Sequence, residues 1–142
     1  MQERRSNQDR RQETRSALIK AARALFLEKG YAATATPEVV ERAGLTRGAL
    51  YHHFKDKQAL FLAVAEAEAA QIAAEIEAGS AGAQTPLAAL NDGAQAFFTA
   101  MSEPGRVRLM LLEGPAVLSP ETMRRIDLDT GGRELRLGIA EA

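Results

Sequence analysis

Apolar positions along the chain recur mainly three or four residues apart, which is the spacing of an α-helix. The segment from Thr14 to Lys29 carries such a stripe, formed by Leu18, Ile19, Ala22, Leu25 and Phe26. Charged residues lie off this stripe, so the segment is predicted to be an amphipathic helix that Gly30 ends. No alternating strand pattern occurs and β-branched residues are sparse, so the chain is predicted to be all-α.

Two shorter helices are predicted next, separated by a glycine turn. The segment from Pro37 to Ala43 fits a helix, because proline is tolerated at the first helical position and Thr36 is a suitable N-cap. Gly44 can adopt the left-handed conformation that ends a helix. Thr46 is placed to cap the following short helix. Helix, glycine turn and short helix in this order, at about residues 35–54, are the signature of a helix-turn-helix motif.

Longer helices follow this motif. One is predicted at about Lys57 to Ala78, capped by Asp56, with a buried set formed by Leu60, Phe61, Val64, Ile72 and Ile76. Another is predicted from Pro86 to Ser102, capped by Thr85, with an apolar side formed by Leu87, Leu90, Ala94, Phe97, Phe98 and Met101.

The last part of the sequence predicts three further helical segments. Arg106 to Glu113 is strongly apolar and is expected to be a buried helix that Gly114-Pro115 ends. Ser119-Pro120 starts the next helix, which reaches about Asp129. Residues 133–142 are predicted to be helical. Leu135, Leu137 and Ile139 would form an exposed apolar patch there, which is typical of a surface that binds a partner.

Hydrogen-bond donors are concentrated in and after the second helix of the motif. Arg47, Tyr51, His52, Lys55 and Lys57 supply groups suited to phosphate oxygens and base edges. A solvated charged face is the alternative interpretation, and Tyr51 is expected to divide its role between packing and a hydroxyl contact. Phe54 is predicted to be core. No metal site is expected, because adjacent His52 and His53 point about 100° apart on a helix and the chain has no Cys and no third His.

Charge is distributed unevenly along the 142 residues. The chain up to Lys57 has twelve Lys and Arg against seven Asp and Glu, a net charge of +5, whereas the remainder has six against twelve, a net charge of −6. A basic first part on an acidic body fits a protein that presents one end to nucleic acid. Residues 1–13 hold four arginines and are predicted to be a flexible arm that adds phosphate or minor-groove contacts; a solubilising tail is the alternative.

Taken in order and at this spacing, three segments resemble the DNA-binding domain of the TetR family of bacterial transcriptional regulators. They are Phe-Leu-Glu-Lys-Gly-Tyr at 26–31, Glu-Arg-Ala-Gly at 41–44 and Leu-Tyr-His-His-Phe at 50–54. The resemblance runs from about Thr14 to about Val64. It implies a homeodomain-like DNA-binding domain at 12–72. A partial helical domain for effector binding and dimerisation would follow at 73–142, lacking the last helices of the family.

The resemblance also implies roles for residues of the second motif helix. Thr46 would cap it and meet a phosphate, and Arg47 would reach bases or backbone. Gly48 would let the helix approach DNA closely. Ala49 stands where the family often has a hydroxyl, and its methyl group would meet a thymine methyl. Tyr51 and His53 match phosphate-binding positions.

Other positions in or near the motif either depart from the family pattern or follow it. His52 stands where Tyr or Arg is usual, and Lys55 and Lys57 fall where family members often bind the DNA backbone. Ala35 stands where a capping Thr or Ser is usual, so Thr36-Pro37 is expected to take over the cap and its phosphate contact.

The function implied is that of a ligand-responsive repressor that binds a pseudo-palindromic operator as a homodimer in the cytoplasm. An apolar effector would bind a pocket lined by Phe97, Phe98, Met101, Met110, Met123 and Ile126, although such residues at helical spacing more often form plain core. No cofactor or membrane span is expected, and no catalytic constellation of a small enzyme occurs. The remaining alternative is an interaction protein, or truncated remnant, that kept the fold and lost operator binding.

Overall fold

The computed structural model describes residues 6–130, and every element it forms there is helical. The α-helices are α1 Asn7–Lys29, α2 Thr36–Ala43, α3 Arg47–His53, α4 Lys57–Ser80, α5 Pro86–Met101, α6 Gly114–Leu118 and α7 Pro120–Asp129, and a π-helical segment, Arg108–Glu113, precedes α6. The all-α prediction is confirmed. Within this described range, no helix combines the length and apolar character that crossing a membrane requires. The segment predicted at 133–142, with Leu135, Leu137 and Ile139, lies outside it.

The chain divides into two compact units, one ending at Val64 and the other starting at Ala65. The core of the first unit is built from α1 to α3 and the start of α4. Its buried large side chains are Leu18, Leu25, Phe26, Val39, Leu50, Phe54, Leu60, Phe61 and Val64. The rings of Phe26, Tyr31 and Phe61 pack together with centroids 5.1–5.7 Å apart. Each large apolar side chain buried in this way stabilises the unit by about 1.5–3 kcal/mol.

Helix α1 begins seven residues earlier than the apolar pattern predicts. Ser6 is its N-cap, and the Ser6 hydroxyl accepts a hydrogen bond from the Asp9 amide at 3.1 Å. The prediction of a disordered arm is therefore wrong for residues 7–13, which form the first turns of α1. A capping serine and an acidic residue in the first turn stabilise a helix start without any apolar stripe.

The cap of α2 also differs from the prediction. Its N-cap position is Ala35, which has no side-chain acceptor, and Thr36 is already helical. The Glu38 carboxylate accepts the Ala35 amide at 3.1 Å instead. Glu38 also pairs with Lys29, and this pair, followed by the Ala35 amide, lowers the pKa of Glu38. The glycine turn follows as predicted, with Gly44 left-handed at φ 67°.

The second unit contains a buried ion pair that the sequence pattern does not show. The guanidinium of Arg106 contacts the Glu68 carboxylate of α4 at 2.7 and 2.8 Å. Both side chains are almost fully buried. The Arg106 Nη1 atom donates to the carbonyl oxygen of Ala100 at 2.7 Å and to the half-exposed carboxylate of Glu75 at 3.4 Å. Arg106 thereby fixes the chain after α5 against α4.

Two other expectations for the second unit are wrong. Gly114-Pro115 does not end the helix before it, because Pro115 lies in the first turn of α6, where its missing N–H is not needed. The amide of Gly114 donates to the carbonyl of Leu109, five residues earlier, which closes the π-helical segment. In α5, Leu87 and Phe98 are 70% and 73% exposed, so its predicted apolar side is largely outside the core. Ile76 is only half-buried.

The other predicted helix starts are confirmed. Asp56 accepts the Ala59 amide at 2.8 Å, and Thr85 accepts the Ala88 amide at 3.1 Å. Ser119 caps α7 by accepting the Thr122 amide at 3.2 Å. Helix α7 packs close to α6, where a Cβ placed on Gly114 would lie 2.7 Å from the methyl carbon of Met123. A side chain at position 114 would therefore displace the flexible end of Met123.

The cap of α3 is expected to contribute measurably to stability. The Thr46 hydroxyl accepts the Ala49 amide at 3.1 Å, so Thr46→Ala should lower the free energy of unfolding by about 1 kcal/mol. Thr36→Ala is the matched control, since Thr36 caps nothing, and should change it by less than about 0.5 kcal/mol. Urea unfolding followed by circular dichroism measures both. Equal effects would contradict the capping role.

The buried ion pair should be far more important than an exposed one. Arg106→Met leaves the Glu68 carboxylate buried without its partner and should cost about 3–5 kcal/mol. Arg42→Ala breaks the exposed pair with Glu28, both bonds 3.2 Å, and should cost at most about 1 kcal/mol. Adding Glu68→Leu to Arg106→Met should restore most of the loss. Calorimetric unfolding compares the four chains, and a double variant no more stable than Arg106→Met would contradict the account.

Candidate nucleic-acid interface

The side of α3 that faces solvent is polar and basic, because the other side is committed to the core. Leu50 and the C-cap residue Phe54 are 0% and 3% exposed. A helix of seven residues has no independent stability, so these two anchors decide its rotation. The residues left outward are Arg47, Gly48, Tyr51 and His52. Thr46, which is also exposed, stands at the N-terminal end of the same helix.

Arg47 and Tyr51 form one linked group with the start of α2. The guanidinium carbon of Arg47 lies 5.6 Å from the centroid of the Tyr51 ring. The Tyr51 hydroxyl lies 3.4 Å from that of Thr36, a weak contact. Pro37 is exposed beside Thr36, and the group lines a shallow groove between α2 and α3. A cation, two hydroxyls and an aromatic ring therefore face solvent together, and Tyr51 takes part through both its ring and its hydroxyl.

Gly48 and Ala49 leave the outer surface of α3 nearly bare. A Cβ added to Gly48 would meet only the Thr46 hydroxyl oxygen, at 3.9 Å, and its backbone has no positive φ. Neither packing within the described chain nor backbone conformation therefore demands glycine at this position. Ala49 is half-buried. Their small size lets another surface come close to the backbone of α3.

His52 and His53 end α3 with their rings 5.2 Å apart and nearly perpendicular. His52 is exposed and His53 half-buried. Burial lowers the pKa of His53, and the neighbouring charges of His52, Arg15 and Arg11 lower it further. Protonation of His53 is thus disfavoured by positive charge that an anion would offset. Among the described residues, His, Cys, Asp and Glu form no group of three that would hold a metal ion.

The two lysines predicted at this site differ in their surroundings. Lys55 is exposed. Lys57 is half-buried, and its ammonium lies 4.1 Å from the centroid of the Tyr31 ring. A cation over an aromatic face is attracted to the ring, and both lysines lie next to the C-terminal end of α3.

The structure places three residues of the predicted arm, together with Thr14, on α1 beside α3. Asn7, Arg10, Arg11 and Thr14 line a shallow depression together with Thr46, Gly48, Ala49, His52 and His53. Their spacing, i, i+3, i+4 and i+7, is that of one helical face. This spacing was readable in the sequence, but without an apolar stripe it gave no reason to expect a helix.

The residues predicted to line an effector pocket differ in how deeply they are buried. Met110, Met123 and Ile126 are buried in the second unit, and Met101 is half-buried. Phe97 and Phe98 pack against each other at 5.8 Å but are 41% and 73% exposed. These two rings therefore lie on the surface of the unit rather than in an enclosed cavity.

Comparison with known proteins gives one consistent result. Residues 18–64 match the model of bacterial regulatory proteins, tetR family. The chain is 27% identical over 127 residues to the transcriptional activator FasR of Mycolicibacterium smegmatis, covering 89% of this chain and 58% of FasR. It is 42% identical over 60 residues to the transcriptional repressor AcnR of Corynebacterium efficiens, covering 42% of this chain and 32% of AcnR.

A solved structure agrees with these relatives. A TetR-family transcriptional regulator from Pectobacterium atrosepticum superimposes with a TM-score of 0.71 at 36% identity, covering 85% of this chain and 64% of that one. The chain thus spans a third to somewhat more than half of the curated relatives named above. The matched region runs from the middle of α1 to the first part of α4 and holds the helix-turn-helix described above. Residues 18–64 thus form a domain of the tetR family of bacterial regulatory proteins.

Proposed function

We propose that the chain is a transcriptional regulator that binds double-stranded DNA through the outward face of α3. The observation that carries this proposal is the composition of that face. It presents the Arg47–Tyr51 pair, the bare backbone at Gly48 and the two histidines while Leu50 anchors the opposite side. Arginine donors and a small residue suit base edges in the major groove, and hydroxyls suit the flanking phosphates. Relatives that are transcriptional regulators support it.

The proposal assigns a DNA contact to each residue of the predicted DNA-binding site. Arg47, Gly48 and Ala49 face the bases. Thr36, Pro37, Thr46, Tyr51, His52 and His53 contact the backbone on either side, and Lys55 and Lys57 extend the contact. The active form is a homodimer whose two α3 helices enter successive major grooves, about 34–36 Å apart, on a pseudo-palindromic operator. Operator binding takes place in the cytoplasm.

We further propose that the regulator is a repressor whose second unit binds an apolar effector. Helix α4 contributes to the cores of both units, through Phe61 in the first and Ile72 in the second. An effector that favours one arrangement of the second unit would shift the population of dimers able to bind DNA. The adaptable thioethers of Met110 and Met123 are the buried groups best suited to such a ligand. The proposal includes no catalytic step.

Loss of the Arg47 side chain should weaken DNA binding without unfolding the domain. Duplexes enriched from a random-sequence pool by the wild-type chain serve as ligand, and fluorescence anisotropy measures affinity. Arg47→Ala should lose about 1–3 kcal/mol of binding free energy and relax sequence preference at the contacted position. Arg124→Ala, which removes an exposed arginine from α7, is the matched control and should bind normally. Failure to enrich any sequence, or unchanged affinity of Arg47→Ala, would contradict the proposal.

Substitution of Gly48 should separate stability from DNA affinity. Alanine is the better helix former, so Gly48→Ala should raise the free energy of unfolding by up to about 1 kcal/mol. The added methyl group should nonetheless weaken DNA binding, because it stands between α3 and the groove. Gly93→Ala is the matched control in α5, where the new Cβ would lie 3.7 Å from Ile76. Thermal unfolding and anisotropy are compared, and a Gly48→Ala chain that binds DNA as tightly as wild type would rule out the close approach.

A further inference from the structure

We propose that the first turns of α1 form a second part of the DNA interface, in which Arg10 and Arg11 bind backbone phosphates beside α3. This inference rests on the proposed function and extends it to residues outside the helix-turn-helix motif. It assigns them a contact that strengthens binding to every DNA sequence equally, because phosphates carry no base identity.

The first turns of α1 are built to be a defined helix. Ser6 caps them, Asp9 stands in the first turn, and the amide of Arg10 donates to the carbonyl of Ser6 at 3.2 Å. In a helix the backbone fixes the positions from which arginine side chains project. They lose less conformational entropy on binding than those of a flexible arm.

The character of one face of α1 changes along its length. Leu18, Ala22 and Leu25 lie on the face that is buried in the first unit. One to three turns earlier, the same helical face carries Thr14, Arg11, Arg10 and Asn7, at the spacing that keeps residues on one side. A face that served packing alone would stay apolar or end with the core. Here it continues beyond the core as a basic, hydrogen-bonding surface.

This basic surface lies next to α3 rather than elsewhere on the unit. It borders the depression lined by Thr46, Gly48, Ala49, His52 and His53. Burial lowers the pKa of His53, and the nearby positive charges of His52, Arg15 and Arg11 lower it further. Arg15 itself stacks over the Phe54 ring at 4.9 Å, which leaves Arg10 and Arg11, both exposed, as the groups able to reach a ligand.

The position of these arginines selects phosphate rather than base edges. When α3 occupies a major groove, an element beside it meets the rim of that groove, which is the sugar-phosphate backbone. A guanidinium matches a phosphate with two parallel hydrogen bonds. Nearby hydroxyl and amide groups, those of Thr46, Thr14 and Asn7, suit the same partner.

The salt dependence of DNA binding tests this assignment. Wild type and Arg10→Ala/Arg11→Ala are titrated with an enriched duplex and with a random-sequence duplex at several salt concentrations. The double variant should bind both duplexes more weakly by the same factor, and the slope of log affinity against log salt should shrink by about two per protomer. Alanine favours the helix, and circular dichroism checks that α1 is retained.

Two further double variants test whether the effect is specific to the positive charge at positions 10 and 11. Arg124→Ala/Arg125→Ala removes the same charge from exposed positions of α7 and should leave the slope nearly unchanged. Arg10→Lys/Arg11→Lys keeps the charge and should retain most of the slope. A loss confined to the enriched duplex, or an unchanged slope in the alanine variant, would overturn the phosphate assignment. Absence of DNA binding by the wild-type chain would instead overturn the proposed function.

Discussion

The candidate interface depends on the burial of Leu50 and Phe54. Helix α3 is too short to be stable by itself, so its stability comes from its N-cap and from the burial of these two side chains. Their burial also sets the rotation of α3, so the same contact that forms the helix chooses which side chains face outward. Stability and recognition are therefore divided between opposite faces of seven residues, and a change on one face need not disturb the other.

The second unit depends on a different kind of contact. Arg106 satisfies the buried carboxylate of Glu68 and, with it, Glu75 and the carbonyl at the end of α5. Ion pairs removed from water contribute little net energy but tolerate few alternative arrangements. The result is a unit whose helices are positioned by directional bonds at one point and by apolar contact elsewhere.

Much of the fold was predictable because its signals are local. Helix boundaries could be predicted from a few residues of sequence. The structure contains the predicted caps Thr46, Asp56 and Thr85 and the left-handed Gly44. The contact of Arg106 with Glu68 was not predictable, because 38 residues separate the partners and no periodicity connects them.

The errors have equally physical causes. Helix α1 was predicted too short, because its first turns are held by a cap rather than by apolar burial. The apolar stripe of α5 predicts a side that packs into the core, yet Phe98 on that stripe is mostly exposed. Of the candidate site, the motif residues followed from their pattern, whereas the neighbourhood of Arg10 and Arg11 with α3 required the structure, since it joins segments about 40 residues apart.

The π-helical segment has a consequence for the angular phase of the helix that contains it. Consecutive residues of an α-helix advance by about 100°, and a π-turn in effect inserts one extra residue into that progression. The residues of α6, Gly114–Leu118, are thus rotated by about that angle relative to an uninterrupted helix. This offset brings the bare backbone of Gly114 round to Met123. Without it, a different side of α6 would face α7.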